Sequence, residues 1–253
     1  GANGSAQLGD GTTVSSSTPV SATVPAGIVQ INAGAAHTCA VLGDGTSRCW
    51  GRNTGGALGD QSTIEQTSAV TVLQANRLTD VDAIAQAGSH TCAIRSPGTE
   101  VPSAWCWGRN SSGQLGTGST GASAPLPVRV SGVDGLVSVE SDSVSSCAVM
   151  ANGALRCWGF RHDLDTTTAT PGTVAGLPPV AEVALTQYHA CAIVTDTTVR
   201  CWGDNDLGGL GNGSTTASLT PVAVAGLSGA VDVAVRSQSS CAVRSDGTVW
   251  CWG

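Results

Sequence analysis

Ten cysteines and four histidines are the side chains here with the most chemistry to offer, and their spacing decides what kind. The cysteines fall into five pairs: Cys39 and Cys49, Cys92 and Cys106, Cys147 and Cys157, Cys191 and Cys201, Cys241 and Cys251. Each second cysteine is followed by Trp-Gly. Between Cys39 and Cys49 lies Gly43-Asp44-Gly45, which reads as a three-residue hairpin loop with Gly45 in the left-handed position. Counting outward from that turn sets Cys39 opposite Cys49 as a non-hydrogen-bonded pair, with Cα atoms about 4.5 Å apart. That separation permits a cross-strand disulfide. Ala151-Asn152-Gly153 and Ser245-Asp246-Gly247 fit the same slot, whereas Thr195-Asp196-Thr197 lacks the glycine and should be strained or differently built. Cys92 and Cys106 enclose a longer loop containing Pro97-Gly98.

Reduced, buried cysteines are the alternative reading. Zinc is disfavoured because no C-x-x-C spacing exists. Five pairs with no cysteine left over favour disulfides and an oxidising compartment. His37, His90 and His189 each stand two residues before a first cysteine, where Ser145 and Ser239 take the place in the other copies. A residue that recurs at one site of a repeat is read as a structural hydrogen-bonding group, and a ring of functional imidazoles is the competing reading. His162 lies off the pattern with no second reactive group tied to it. No serine sits in a G-x-S-x-G elbow. Asp204-Asn205-Asp206-Leu207-Gly208 lacks the spacing and closing Glu of a helix–loop–helix calcium site and reads as an Asx-stabilised turn. No catalytic residue, metal site or cofactor is expected.

These groups must be positioned by a repeat. First cysteines recur at intervals of 53, 55, 44 and 50 residues, and each copy offers four short strands. A period of that size points to a β-propeller or another radial array. The copies run over residues 28–72, 81–130, 137–174, 180–224 and 231–253, the last completed by residues 1–24. Gly1 stands where the Gly of Trp-Gly belongs, and the residues after it match the stretches after Trp-Gly in other copies, such as Arg109-Asn110-Ser111-Ser112-Gly113-Gln114-Leu115-Gly116. The expectation is one all-β domain over residues 1–253, with the N-terminal strand closing a five-bladed ring. An arc of a seven-bladed ring is the alternative. The third copy is irregular: Phe160-Arg161-His162-Asp163-Leu164-Asp165 replaces the glycine-rich loop.

Composition narrows the partners. With 34 glycines and charged residues at 11%, the chain suits an all-β protein with many tight turns. A net charge of −7 with no basic run argues against a phosphate backbone. No apolar run is long enough to span a membrane. No signal peptide is evident, and the chain opens without Met, so it is a processed product or part of something longer.

His37-Thr38-Cys39-Ala40-Val41, Asp44-Gly45, Cys49-Trp50-Gly51, Gly113-Gln114-Leu115-Gly116 and Pro127-Val128 together resemble the regulator-of-chromosome-condensation repeat family. The resemblance covers the whole chain in five copies. It implies β-propeller blades of about 50 residues, typically seven, closed by a strand shared between the ends. It also implies binding functions of several kinds: nucleotide exchange on a nuclear small GTPase with nucleosome docking, inhibition of a β-lactamase by a bacterial secreted relative, and lectin-like roles. No contact residue of these can be carried over. The paired cysteines look like the cysteine-rich bacterial secreted and surface versions.

The resulting expectation is an extracellular, periplasmic or cell-surface propeller that binds a protein partner through its loop faces without catalysis. Alternatives are an exchange factor, a structural surface or filament subunit, and an inhibitor of a secreted enzyme. Candidate binding residues are Phe160, Arg161 and His162 in the irregular loop, together with Trp105 and Trp250. These two tryptophans stand where other copies have Arg48, Arg156 and Arg200, as partner anchors or as packing between blades. Asn3, Asn110 and Asn212 open acceptor sequons on predicted loops.

Overall fold

The computed structural model describes residues 1–73, 78–86 and 88–253. Residues 74–77 and 87, inside and beside the first two repeats, lie outside the described residues. The first sheet is β1 (Ile28–Ala33), β2 (His37–Leu42), β3 (Ser47–Gly51) and β4 (Gln66–Thr71), antiparallel in chain order. The second is β5 (Val81–Gln86), β6 (His90–Arg95), β7 (Ser103–Gly108) and β8 (Ala124–Arg129). The third is β9 (Leu136–Ser141), β10 (Ser145–Met150), β11 (Leu155–Arg161) and β12 (Thr166–Thr173). The fourth is β13 (Val180–Leu185), β14 (His189–Val194), β15 (Val199–Gly203) and β16 (Ser218–Ala223). The fifth has three strands, β17 (Ala230–Arg236), β18 (Ser239–Arg244) and β19 (Val249–Trp252). Among the described residues no helix is long and apolar enough to cross a membrane.

The hairpin register is the one the turn dictates. Val41 faces Ser47 and Cys39 faces Cys49. The Leu42 N–H bonds to Thr46 O and the Gly45 N–H to Leu42 O, with Gly45 at φ 74°. All five cysteine pairs form disulfides, each with Cα atoms 4.1 Å apart. Thr197 occupies the glycine's place at φ 67°, so the fourth sheet keeps the same turn at the cost of a β-branched residue in the left-handed region.

The core lies between sheets. Trp107 of the second sheet packs with Cys39 and Cys49 of the first. Trp158 packs with Cys92 and Cys106, Trp202 with Cys147 and Cys157, and Trp252 against Cys191 and Cys201. Each of these four disulfides is therefore roofed by the next sheet's tryptophan. A single sheet could not bury its faces alone, and stacking does it instead.

The two ends correct one expectation. Residues 1–24 form no strand and do not complete the fifth sheet. They dock forward on the first sheet: the Gly11 N–H bonds to Thr67 O, the Ala69 N–H to Thr23 O, and the Trp50 indole to Gln7 O. The other glycine-rich loops also dock on the sheet next in the chain, through the Trp107, Trp158 and Trp252 indoles. The complementarity of the two ends therefore needs no shared blade. Ile31 of β1 is 61% exposed, while its counterpart Ile84 is buried between sheets. Val249 of β19 is 62% exposed, although the residues at its position in the other sheets are buried.

Candidate functional site

The junctions between sheets share one device. After three of the Trp-Gly pairs, and at the matching place in the N-terminal loop, an asparagine side chain is buried: Asn3 in that loop, and Asn53, Asn110 and Asn205. Its Oδ1 accepts the N–H of Leu8, Leu58, Leu115 or Leu210, and its Nδ2 donates to carbonyls across the loop. The asparagine thereby presents the carbonyl of the residue before that leucine to the next sheet. Ala57 O accepts Trp107 Nε1–H and Thr91 Oγ1–H, both at 2.9 Å. Gln7 O likewise accepts from Trp50 and Thr38, Gln114 O from Trp158 and Ser146, and Gly209 O from Trp252 and Ser240. Sequence reasoning missed this asparagine, although its fixed place two residues after Trp-Gly is a signal that could have found it. Asn3 and Asn110 are committed to these bonds and are buried, so their sequons do not lie open for modification.

The recurrent histidines complete the device. Nε2 of His37 meets Thr91 Oγ1 at 3.0 Å, that of His90 meets Ser146 Oγ at 2.8 Å, and that of His189 meets Ser240 Oγ at 2.7 Å. Each hydroxyl proton is already given to a loop carbonyl, so the imidazole must donate from Nε2. Burial pushes all three histidines down to about 4. His90 lowers His37 further, and Asp142 opposes the effect at His90. At His189, His162 adds to the lowering and Asp204 opposes it. These are structural imidazoles with no free proton to exchange.

The junction between the third and fourth sheets breaks the pattern in every part. No glycine-rich loop follows Gly159. β11 instead runs on to Arg161 and turns back at once into β12. Arg161 takes the place of the asparagine, is buried, and pairs with Asp163 while donating to Thr173 O. Ser145 stands in place of the histidine and Ala190 in place of the hydroxyl. Leu58, Leu115 and Leu210 each fill their own junction, but the cluster around Trp202 contains no such leucine. Trp202 Nε1 finds no acceptor among the described residues, unlike the indoles of Trp50, Trp107, Trp158 and Trp252.

A cavity of about 290 Å³ opens at this junction, lined by Phe160, His162, Asp165, Tyr188, Gly203 and Asp204 among others. A Cβ on Gly51, Gly108 or Gly159 would come within 3.1–3.3 Å of the Cα of Gln7, Ala57 or Gln114. At Gly203 no such loop residue stands near, and the glycine faces the cavity. Phe160 meets the His162 ring edge-on at 5.2 Å. Nε2 of His162 lies 3.7 Å from Asp142 Oδ2, and both atoms are buried without a hydrogen-bond partner, as is Ser145 Oγ. Buried polar atoms left unpaired in this way are uncommon and mark a place to look for a ligand.

Of the sequence candidates, the fold brings Phe160 and His162 to this cavity and commits Arg161 to an internal ion pair. The two tryptophans lie elsewhere. Trp105 is half-buried on β7, its indole donating to Ser103 Oγ at 3.1 Å. Trp250, on β19, is 45% exposed, with the Arg244 guanidinium 5.8 Å over its ring. The Asp204 turn is the Asx type, with the Asp206 N–H on Asp204 Oδ1. The signal that could have located the whole break is Ala190, the one copy without Ser or Thr after the His/Ser position, paired with the missing loop.

Comparison with known proteins agrees with this architecture. The 135-residue E3 ubiquitin-protein ligase HERC2 match from Homo sapiens is 32% identical and takes in 52% of this chain and 3% of HERC2. The ultraviolet-B receptor UVR8 of Arabidopsis thaliana is 35% identical over 112 residues, 43% of this chain and 24% of UVR8. The chain thus spans only a small part of the curated relatives it matches. Human WBSCR16 superimposes with a TM-score of 0.77 at 20% identity, over 92% of this chain and 63% of that one. Yeast RCC1 (Prp20), solved bound to Kap60, gives 0.75 at 18% identity, over 89% and 56%. At these identities the two structures speak for the fold alone. The regulator of chromosome condensation (RCC1) repeat matches residues 1–41, 103–149 and 198–243, and a second profile of the same repeat matches residues 28–57 and 180–208. With more than half its length matched and the Trp-Gly, asparagine and x-Leu-Gly elements explained, the chain belongs to the RCC1 repeat family.

Proposed function

We propose that this chain is a non-catalytic, protein-binding propeller that works in an oxidising compartment: extracellular, periplasmic or at a cell surface. The observation that carries the compartment is the row of five disulfides, each buried under a neighbouring sheet except at the fifth. Reducing cytosol would not keep such bonds. Binding is supported by the family, whose yeast member is described with Kap60 bound and with binding properties toward Gsp1p and histones. The cleft between the third and fourth sheets, where one loop is replaced, is the surface feature best suited to a partner. The exposed faces of β1 and β19 favour the reading of the chain as an arc of a larger ring over a closed five-bladed one.

The test is capture of proteins from the extracytoplasmic fraction of the source. The oxidised chain and an Ala217→Arg variant, which fills the cleft, would be compared. A protein retained by the first and lost by the second is the expected result. Retention by neither, or catalysis of nucleotide release from a small GTPase by a fully reduced chain, would overturn the reading.

A further inference from the structure

The third junction lacks a loop but keeps the donor that holds it elsewhere. At the other three junctions, and where the N-terminal loop meets the first sheet, the peptide held against tryptophan reads x-Leu-Gly: Ala57-Leu58-Gly59, Gln114-Leu115-Gly116 and Gly209-Leu210-Gly211, and Gln7-Leu8-Gly9. In each, the carbonyl of x takes the indole proton. Beside Trp202 no such carbonyl stands among the described residues, and the cavity opens against the adjoining Gly203.

We propose that this cavity binds a lysine or arginine side chain carried on an exposed loop of a partner protein, with the backbone carbonyl of that residue accepting from Trp202 Nε1. The inference rests on the protein-binding reading and gives it a site and a ligand chemistry. Charge complementarity sets the cation. The ionisable side chains of the lining are the carboxylates of Asp165 and Asp204, the imidazole of His162 and the phenol of Tyr188, with no Lys or Arg among them. Arg236 lines the adjoining cavity instead. Phe160 and Tyr188 supply aromatic faces of the kind that attract a cation. Asp165 is exposed at the rim, whereas Asp204 is half-buried and has Gln238 Nε2 3.4 Å from one oxygen. His162, 6% exposed, also lines the cavity; its Nε2 makes no hydrogen bond and lies 3.7 Å from Asp142 Oδ2.

The experiment titrates the oxidised chain with acetyl-Gly-Lys-Leu-Gly-amide, and with the same peptide carrying norleucine or Glu in place of Lys. The indole ¹H–¹⁵N resonances report, with Trp202 assigned by Trp202→Phe. A saturable shift of the Trp202 resonance is expected, with the other Trp-Gly indoles unmoved. Affinity should fall at least tenfold for norleucine and for Glu, and at least threefold in Asp165→Asn. That substitution is tolerated structurally, since Asp165 sits at φ 49° where Asn is at ease. Equal binding of the three peptides, or an unmoved Trp202 resonance, overturns the proposal. A protein partner captured from the source but indifferent to Asp165→Asn and Asp204→Asn would overturn this site while leaving the protein-binding reading intact. Specific binding of the lysine peptide without any captured protein would do the reverse.

Discussion

His90 donates from Nε2 to Ser146 Oγ at 2.8 Å, and Ser146 passes its own proton to Gln114 O at 3.1 Å. Two buried residues 56 positions apart thus tie the second sheet to the third and back to the loop of the second. Ser146→Ala strands the imidazole N–H in a dry site, at a cost of about 1–3 kcal/mol. Urea unfolding of the oxidised protein checks it. Ala190→Ser, at the junction without a carbonyl, restores the hydroxyl but not its acceptor and gives no gain in stability.

The same chains of hydrogen bonds make stability fall in acid. Unfolded, His37, His90 and His189 bind protons near 6.5, and folded only near 4. Between those values the unfolded state holds more protons, so stability drops as pH falls from 6.5 to 4, by about 3 kcal/mol per histidine. Glu140 works the other way. Burial, helped by Glu182, raises it from 4.5 to about 7, so its contribution is full below 4.5 and is lost as pH rises through 7. Three groups oppose one, and the unfolded state takes up about two extra protons near pH 5.5. Unfolding free energies measured from about pH 7.5 to 4 should fall by several kcal/mol, and a flat profile would count against buried neutral imidazoles.

Thr197 and Gly45 occupy the same turn position at φ 67° and 74°. Thr197→Gly should stabilise the chain by about 1 kcal/mol, after the loss of the Gly229 N–H bond to its hydroxyl. Gly45→Thr should do more harm than the reverse change does good, because its Cβ would lie 2.9 Å from the Asp80 nitrogen. A thermal denaturation series separates the two.

Trp202 and Trp158 are alike in burial but differ in hydrogen bonding, since Trp158 Nε1 bonds to Gln114 O at 2.8 Å. The Trp202 indole proton should exchange with solvent at least tenfold faster than those of Trp107 and Trp158. Equal protection would mean that the third junction hides an acceptor.

Much of this was legible in the residues. The Asp-Gly turn and symmetric cysteines set the hairpin register, because side chains alternate strictly along paired strands. The irregular loop at Phe160 marked the cleft, since deleting a repeated element leaves its socket behind. Ring closure was not legible: the N-terminal loop docks on the first sheet by the same bonds whether or not it shares a blade with β19. Nor was the burial of Asn3 and Asn110, because a polar side chain that holds a loop from within reads in sequence like one on its surface. The fate of Trp105 and Trp250 depended on which edges are covered, which local spacing does not record.

The most direct test of the oxidised, extracytoplasmic propeller is the intact mass of the protein taken from its source, with thiol alkylation before and after reduction. The expected result is no alkylation before reduction and a mass about 10 Da below the reduced form, two hydrogens for each cross-strand bond. Ten alkylated cysteines in the unreduced protein would contradict the oxidising compartment, and with it the proposed role outside the cytosol.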